Sequence, residues 1–199
     1  MRNVTILAAL SLALVANVVL AAGAGQVAPD FVVSDSAGKA VRLSDYQGKF
    51  VVLEWTNPDC PFVQKHYNSA NMPALQKEWG ARDVVWLTVN STNRSSSEYK
   101  TGAQMDSWMH AHGAAQKAVL IDADSTTGIK YAAKTTPHMF VIDPKGEIVY
   151  AGAIDDKRST RPEDTKTATN YVRVALNEAM AGKPVTTPNT APYGCSVKY

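Results

Sequence analysis

Two short runs of the chain are apolar almost throughout, and they restrict the fold more than any other feature of the sequence. They are FVVLEW at 50–55 and DVVWLTVN at 83–90, and both are rich in β-branched residues. A strand with a continuous apolar run is typical of a sheet covered by helices on both faces. We therefore expect both runs to form central strands of an α/β domain.

The segments around these strands alternate between extended and helical patterns. Before the first strand, apolar residues alternate on either side of the turn DSAGK, which predicts a β-hairpin. Residues 62–81 have a helical composition interrupted by Pro73, so we expect a kink or two helical pieces. A polar loop and an amphipathic helix ending at Gly113 follow the second strand.

The C-terminal half continues the alternation. A strand is predicted at 118–122 and then a short helix with Ser125 as its N-cap. A hairpin follows, with strands at 139–143 and 147–151 joined by a Pro-Lys-Gly turn. A final helix is predicted over 162–183, where apolar residues recur at helical spacing.

This order of elements predicts a single three-layer α/β sandwich. Strands that alternate with helices imply parallel units, while the hairpins add antiparallel strands, so the central sheet should be mixed. We assign this domain, with its N-terminal hairpin extension, to residues 25–182 and a proline-rich tail to 183–199. The chain has 199 residues and a net charge of +2, which is too weak to indicate a nucleic-acid partner.

The N-terminal 1–24 segment has the composition of a secretory signal peptide. One cation, Arg2, precedes an uninterrupted apolar run that ends in small residues, with cleavage patterns at 22–24 and at 19–21. The alternative is a transmembrane anchor, because the run is almost long enough to span a bilayer. We expect cleavage and a periplasmic or secreted protein, in a compartment where thiols can form lasting disulfides.

Cys60 is one of only two cysteines and lies where the first central strand ends and a helix begins, in EWTNPDCPFVQKHY. Unpaired N–H groups and the helix dipole favour a thiolate at such a position, although the Asp59 carboxylate opposes it. The alternative is an inert buried cysteine. Because chemistry gathers at the carboxyl ends of strands in α/β sheets, we interpret Cys60 as reactive.

The strand VVLEW, the Cys-Pro helix start and the later TTPHMFVIDPKGEIVYAG together resemble the thioredoxin superfamily. Within it, the chain resembles the alkyl hydroperoxide reductase/thiol-specific antioxidant family of peroxiredoxin-like redoxin domains, over roughly residues 26–182. The resemblance implies a thioredoxin-like fold, a cis Pro137 beside Cys60, and a substrate site that includes Thr136 and Pro61. It also implies a thiol oxidoreductase whose thiolate attacks a peroxide or a disulfide.

The motif departs from the family pattern at three positions. Val63 occupies the second cysteine position of Cys-x-x-Cys, which excludes dithiol exchange within that motif. Asn57 and Leu53 stand where peroxiredoxins carry Thr or Ser and Pro, although Asn57 can still hydrogen-bond a peroxide oxygen or the thiolate. The family also implies an arginine near the thiolate. Arg173 on the last helix is the candidate, and a plain surface arginine is the alternative.

Cys195 is the only other thiol and lies in the tail, which we expect to be flexible enough to reach Cys60. It is predicted to resolve the oxidised cysteine as a disulfide, within one chain or across a homodimer. Gly194 permits a tight approach of the backbone. A permanent structural disulfide and a free thiol in a disordered end are the alternatives.

The predicted cycle requires an external thiol reductant and no metal, flavin or nucleotide cofactor. Two other functions remain open. Cys60, His138 and Cys195 could supply soft ligands to copper in a chaperone-like protein. The chain could also be a catalytically silent binding module on a redox fold. His66 lies about 240° around the helix from Cys60, and we expect its side chain to be partly exposed.

Overall fold

A five-stranded mixed sheet lies at the centre of the computed structural model, which describes residues 22–199. The strands are β1 Val32–Ser34, β2 Ala40–Arg42, β3 Val51–Trp55, β4 Val85–Asn90, β5 Ala118–Ile121, β6 Thr135–Thr136, β7 His138–Ile142, β8 Ile148–Gly152 and β9 Cys195–Ser196. The α-helices are α1 Pro61–Asn68, α2 Asn71–Gly80, α3 Gly102–Ala111, α4 Thr126–Lys130 and α5 Tyr171–Met180. Short 3-10 helices span Leu43–Tyr46 and Pro162–Lys166.

The order of strands in the central sheet is β5–β4–β3–β7–β8. Strands β3, β4 and β5 are parallel, whereas β7 runs antiparallel to both β3 and β8. The continuous apolar runs of β3 and β4 are buried along their whole length, which places them in the interior of the sheet. Both central strands were expected from the sequence, and the mixed sheet is confirmed.

Helices and the N-terminal hairpin cover opposite faces of the sheet. On one face, Val52 packs into a core with side chains of α1, α2, α3 and α5. On the other face, Leu53 packs with Phe31 and Val41 of the hairpin formed by β1 and β2. The predicted three-layer architecture with an N-terminal hairpin extension is therefore confirmed.

The helical region after Cys60 forms two helices, but the break does not fall at Pro73. Ala70 adopts a left-handed conformation with φ of 58°, and α2 begins at the next residue. Pro73 lies in the first turn of α2, where the missing N–H has no intrahelical acceptor to lose.

Two other helix predictions need correction. Ser125 does not cap α4 with its side chain: its Oγ donates to the carbonyl of Ser91, and the Asp122 carboxylate accepts from the N–H groups of Thr127 and Gly128. The last helix begins only at Tyr171, after the separate 3-10 helix.

The C-terminal tail packs against the domain rather than extending from it as a flexible end. Strand β9 pairs antiparallel with β6, so that Thr136 lies opposite Cys195. Among residues 22–199, none of the helices has the length and apolar content required to cross a bilayer. The predicted signal peptide at 1–24 lies almost wholly outside the described residues.

Candidate active site

Cys60 occupies the N-cap of α1, just beyond the carboxyl end of β3. Its backbone is extended, with φ of −81° and ψ of 119°, and its N–H donates to the carbonyl of Asn57 at 3.0 Å. Pro61 follows as the first helical residue, where its fixed φ suits the helix start. The cysteine is only 2% exposed, so the site is closed in this conformation.

The segment before β7 covers the thiol. The Thr136–Pro137 peptide is cis, as the resemblance implies, and the Cys60 Sγ donates to the carbonyl oxygen of Thr136 at 3.0 Å. The Thr136 hydroxyl is buried and has no hydrogen-bond partner among the described residues. A hydroxyl without a partner, on the residue whose carbonyl contacts Cys60, can hydrogen-bond an oxygen atom.

Cys195 lies against the same segment, next to Cys60. It pairs with Thr136 across β6 and β9, and both cysteines are free thiols. Gly194 has φ of +137°, and a β-carbon there would lie 2.0 Å from the Thr136 carbonyl oxygen, so this close approach requires glycine. Burial and the adjacent Cys60 thiol raise the pKa of Cys195 well above its ordinary value.

A helix N-terminus and an ion pair lie next to Cys60. Free N–H groups in the first turn of α1, after Pro61, lie at the positive end of the helix dipole. The Asp59 carboxylate, which opposes a thiolate, forms an ion pair with Lys100 at 2.5 Å. This pairing weakens the unfavourable field of Asp59 at the sulfur.

Asn57 is held in the turn that precedes the cysteine. Its Oδ1 accepts from the N–H of Asp59 at 2.9 Å, and its Nδ2 donates to Glu98 at 2.8 Å. Glu98 also forms an ion pair with Lys198 of the tail at 3.3 Å. The asparagine therefore orders the turn before Cys60 and connects it, through Glu98, to the tail.

The remaining predicted positions have different surroundings. Arg173 forms an ion pair with Glu78 of α2 at 2.7 Å, and both side chains are substantially exposed. Val63, in the place of a second cysteine, is fully buried in the core beneath α1. The structure therefore brings together Cys60, Thr136, Pro137 and Cys195.

Sequence reasoning missed a buried polar cluster beside the site, formed by Lys65, His66, Asp155 and Tyr193. Lys65 Nζ lies 3.5 Å from Asp155 Oδ2, and the Tyr193 hydroxyl donates to Asp155 Oδ1. His66 is fully buried, which corrects the expected partial exposure, and burial followed by the nearby Lys65 charge lowers its pKa to about 3. In the sequence, only the adjacent polar residues Lys65 and His66 in the predicted helix pointed to such a cluster.

His138 belongs to the opposite face of the sheet. Its ring packs at a tilt of 38° against Phe140, which contacts Trp55 and Tyr131. Cys60 lies in the core on the other face. Burial, and to a lesser extent Lys134, lower the pKa of His138 to about 3. Residues 22–199 contain no group of three His, Cys, Asp or Glu side chains that could hold a metal ion. This arrangement gives no support to the copper-binding alternative.

A second feature missed from the sequence is the buried carboxyl group of Glu54 on β3. It accepts hydrogen bonds from Tyr67 Oη at 2.8 Å and Trp86 Nε1 at 2.8 Å, with Gln76 and Thr88 as further donors. Burial raises its pKa to about 7 against the opposing effect of these donors. The sequence FVVLEW contained this signal, because a glutamate within a strand buried on both faces must be buried too.

Three relatives resemble the chain over most of its length. It is 29% identical to the thiol-disulfide oxidoreductase ResA of Bacillus subtilis over 63% of the chain, and the match spans 64% of ResA, just under two thirds of that protein. It is 28% identical to the thioredoxin-like protein YneN of the same organism, over 70% of the chain and 78% of YneN. The crystal structure of hypothetical protein SMc02350 from Sinorhizobium meliloti superposes with a TM-score of 0.78 at 25% identity, covering 88% and 94% of the two chains.

The fold and these likenesses agree with a match to a whole family. The AhpC/TSA family model matches residues 24–151, which include the N-terminal hairpin, Cys60 and the cis Pro137. The matched segment accounts for more than half of the chain, and the sheet order is that of a thioredoxin-like domain. The chain belongs to the AhpC/TSA family within the thioredoxin superfamily.

Proposed function

We propose that the chain is an extracytoplasmic, peroxiredoxin-like thiol oxidoreductase in which Cys60 attacks a peroxide or disulfide and Cys195 resolves the product. The observation that carries the proposal is the position of Thr136. Its carbonyl oxygen accepts from Cys60, and its strand partner is Cys195. Two free thiols that both adjoin one residue support a reversible intramolecular disulfide as the resolving step.

The chemistry balances with a hydroperoxide as oxidant. The Cys60 thiolate attacks one peroxide oxygen, the O–O bond breaks, and the other oxygen leaves as an alcohol or water after taking a proton. Cys60 is thereby oxidised to a sulfenic acid. Cys195 then attacks the Cys60 sulfur, the S–O bond breaks, and water leaves as the disulfide forms. An external thiol reductant returns both cysteines to the thiol state.

With a disulfide substrate, the same two residues act in the same order. Cys60 attacks one substrate sulfur and forms a mixed disulfide, and the other substrate sulfur leaves as a thiol. Attack by Cys195 on Cys60 then releases the second substrate thiol. The name of ResA as a thiol-disulfide oxidoreductase supports this class of reaction.

The electrostatic asymmetry of the two thiols supports this division of roles. Cys60 lies at a helix N-terminus, where negative charge is favoured, whereas the raised pKa of Cys195 keeps that thiol protonated. In this proposal Thr136 and Asn57 contact the substrate, while the predicted signal peptide supports an extracytoplasmic location. Arg173, paired with Glu78, receives no role.

The test uses the purified full chain and the variants Cys60→Ser and Cys195→Ser. Consumption of hydrogen peroxide and of a small disulfide is followed with a dithiol reductant, and the thiol state is read by mass spectrometry. Activity should vanish in Cys60→Ser, and Cys195→Ser should accumulate sulfenic acid or a mixed disulfide at Cys60. Turnover that persists in Cys60→Ser would reject the proposal.

A further inference from the structure

Tyr193 attaches the tail segment 193–199, hereafter the Cys195 segment, to helix α1. Its buried ring packs edge-on against Phe62 with 5.8 Å between ring centroids, and Lys65 Nζ lies 5.6 Å from the ring centroid. Its hydroxyl donates to Asp155 Oδ1 and accepts from Lys65 Nζ at 3.4 Å. Because α1 begins directly after the candidate nucleophile, the attachment point and the reactive thiol share one helix.

The polar partners of Tyr193 are themselves buried. Lys65, His66 and Asp155 are almost inaccessible to water, and Lys65 Nζ also donates to the carbonyl of Lys157 at 2.7 Å. Buried charges are costly unless they are paired and hydrogen-bonded, so the Tyr193 hydroxyl completes this cluster. Departure of the ring would admit water to the cluster, whereas its docking excludes water. Polar contacts as well as apolar packing therefore fix the position of the Tyr193 ring on α1.

Only one residue separates Tyr193 from Cys195, so the position of the ring restricts the position of the thiol. The Cα atoms of Tyr193 and Cys195 can be at most about 7 Å apart. Gly194 between them rests against the Thr136 carbonyl. Beyond the cysteine, the N–H of Val197 donates to Lys134 at 3.1 Å and continues the strand-like attachment. The docked segment packs against Thr136 and Cys60, and so adds to the cover over a thiol that is only 2% exposed.

We propose that Tyr193 is the positioning and specificity residue of this redox site. Its contacts with α1 hold Cys195 beside Cys60, and they keep the docked segment over the thiol so that low-molecular-weight hydroperoxides react and disulfides on folded proteins do not. A small oxidant needs only a local opening of the segment, whereas a protein disulfide needs room for its own backbone against Cys60. This inference rests on the proposed function and narrows its substrate class.

The first test measures access to Cys60 in full-length Cys195→Ser, so that a single thiol reports. In this background, the chain with Tyr193→Ala is compared with the chain that keeps Tyr193. The small probe is hydrogen peroxide, with dimedone to trap the sulfenic acid. The bulky probe is a maleimide that carries a long polyethylene glycol chain. The bulky probe should react about tenfold faster in Tyr193→Ala, which corresponds to a shift in the opening equilibrium of about 1.4 kcal/mol. Sulfenic acid should form at least as fast as with Tyr193 present.

The second test restores Cys195 and follows intramolecular disulfide formation after a pulse of hydrogen peroxide. Disulfide formation should be about tenfold slower in Tyr193→Ala, again a change of about 1.4 kcal/mol. Tyr193→Phe keeps the ring and removes only the hydroxyl, so its rates should lie between those of Tyr193→Ala and the unaltered chain. Because it keeps the packing of the ring, it also distinguishes a loss of the contact from a general folding defect. Tyr46→Phe, in the 3-10 helix that precedes β3, is the matched control and should match the unaltered chain.

The outcomes separate this inference from the proposed function. Two equalities, with sulfenic acid still formed at Cys60, would overturn the positioning role and leave the proposed function intact: equal bulky-probe rates in Cys195→Ser with and without Tyr193→Ala, and equal disulfide rates in Tyr193→Ala and the unaltered chain. Absence of sulfenic acid and of mixed disulfide at Cys60 in every chain would overturn both. The inference is supported if Tyr193→Ala makes Cys60 react faster with the bulky probe and makes the disulfide form more slowly.

Discussion

Thr136 lies opposite Cys195 in the two-residue pairing of β6 with β9, while its carbonyl oxygen accepts a hydrogen bond from the Cys60 thiol. One backbone segment, immediately before the cis Pro137, therefore contacts both cysteines. Any change that moves the backbone of the Cys195 segment should change the reaction between the two thiols before it changes the fold of the central sheet.

Gly194→Ala tests this dependence directly. A β-carbon at this position would lie 2.0 Å from the Thr136 carbonyl oxygen, and the φ of +137° is unfavourable for alanine. The segment must shift, at a cost of about 1–3 kcal/mol for overpacking and strain. We expect alkylation of Cys195 by iodoacetamide to accelerate and peroxide-driven disulfide formation to slow by about tenfold or more.

Gly182→Ala is the matched control for Gly194→Ala. Gly182 also has a positive φ, of +71°, but a β-carbon there would meet nothing within 4 Å. Alanine should cost about 1 kcal/mol of backbone strain in thermal unfolding without affecting the cysteines. Equal disulfide kinetics in the two variants would contradict the requirement for close approach at Gly194.

Glu54→Gln should change how stability depends on pH. The folded-state pKa of Glu54 is about 7 because of burial, compared with an ordinary value of 4.5. Between these values the folded protein holds a proton that the unfolded chain releases. Its contribution to stability is therefore complete below pH 4.5 and is lost as pH rises through 7, by about 3 kcal/mol.

The measurement is the free energy of unfolding in urea from pH 4 to 8, taken as the difference between the unaltered chain and Glu54→Gln. Glutamine fills the same volume, and its amide can donate to the Tyr67 hydroxyl. The unaltered chain should lose stability relative to Glu54→Gln as the pH rises from 4.5 through 7. Glu147→Gln, an exposed side chain, is the control and should give a constant difference. A constant difference for Glu54→Gln as well would contradict the raised pKa.

The sequence was sufficient for the sheet and for the position of Cys60 at the end of β3. A continuous apolar run can be buried on both faces only inside a covered sheet, so the central positions of β3 and β4 follow from composition alone. The end of β3 and the Cys-Pro helix start then locate Cys60 by local rules. These features depend on residues that are close together in the chain.

The tail could not be placed in this way, because its contacts join residues far apart in sequence. Helical geometry alone pointed His66 away from Cys60 and toward solvent, but Tyr193 covers that face of α1. The helix break at Ala70 was missed for another reason. A proline in the middle of a helical pattern is indistinguishable by sequence from a proline in the first turn of a new helix.

His138→Asn should make the protein less sensitive to acid. Burial lowers the folded-state pKa of His138 to about 3 from an ordinary value of 6.5. Below pH 6.5 the unfolded chain takes up a proton that the folded state refuses, so stability is present above 6.5 and is lost as pH falls toward 3. Within this range, His138 should lower the free energy of unfolding by about 1.4 kcal/mol for each unit by which the pH falls.

Asparagine removes the titration at position 138 but keeps an oxygen that can accept from the N–H of Lys134, now 3.2 Å from His138 Nδ1. Urea unfolding between pH 4 and 7 should show a shallower loss of stability in His138→Asn than in the unaltered chain. The exposed His110→Asn is the control and should leave the slope unchanged. Identical slopes in all three chains would show that His138 is not kept neutral by burial.

Lys65→Met and Asp155→Asn should be strongly coupled in a double-mutant cycle. The two side chains are buried with 3.5 Å between Lys65 Nζ and Asp155 Oδ2, so either single change leaves the other charge without its partner. Each single variant should lose about 3 kcal/mol in the free energy of unfolding by urea. The double variant should lose much less than the sum, because no uncompensated charge remains buried.

The exposed pair Lys49–Asp83 provides the comparison, because its 2.7 Å distance is shorter than that of the buried pair. Water screens charges at such a site, so the cycle of Lys49→Met with Asp83→Asn should give a coupling energy below about 1 kcal/mol. If desolvation determines the energetics, the longer buried pair must couple more strongly than the shorter exposed one. The reverse order would mean that Lys65 and Asp155 reach water in solution, and that Tyr193 does not seal the cluster.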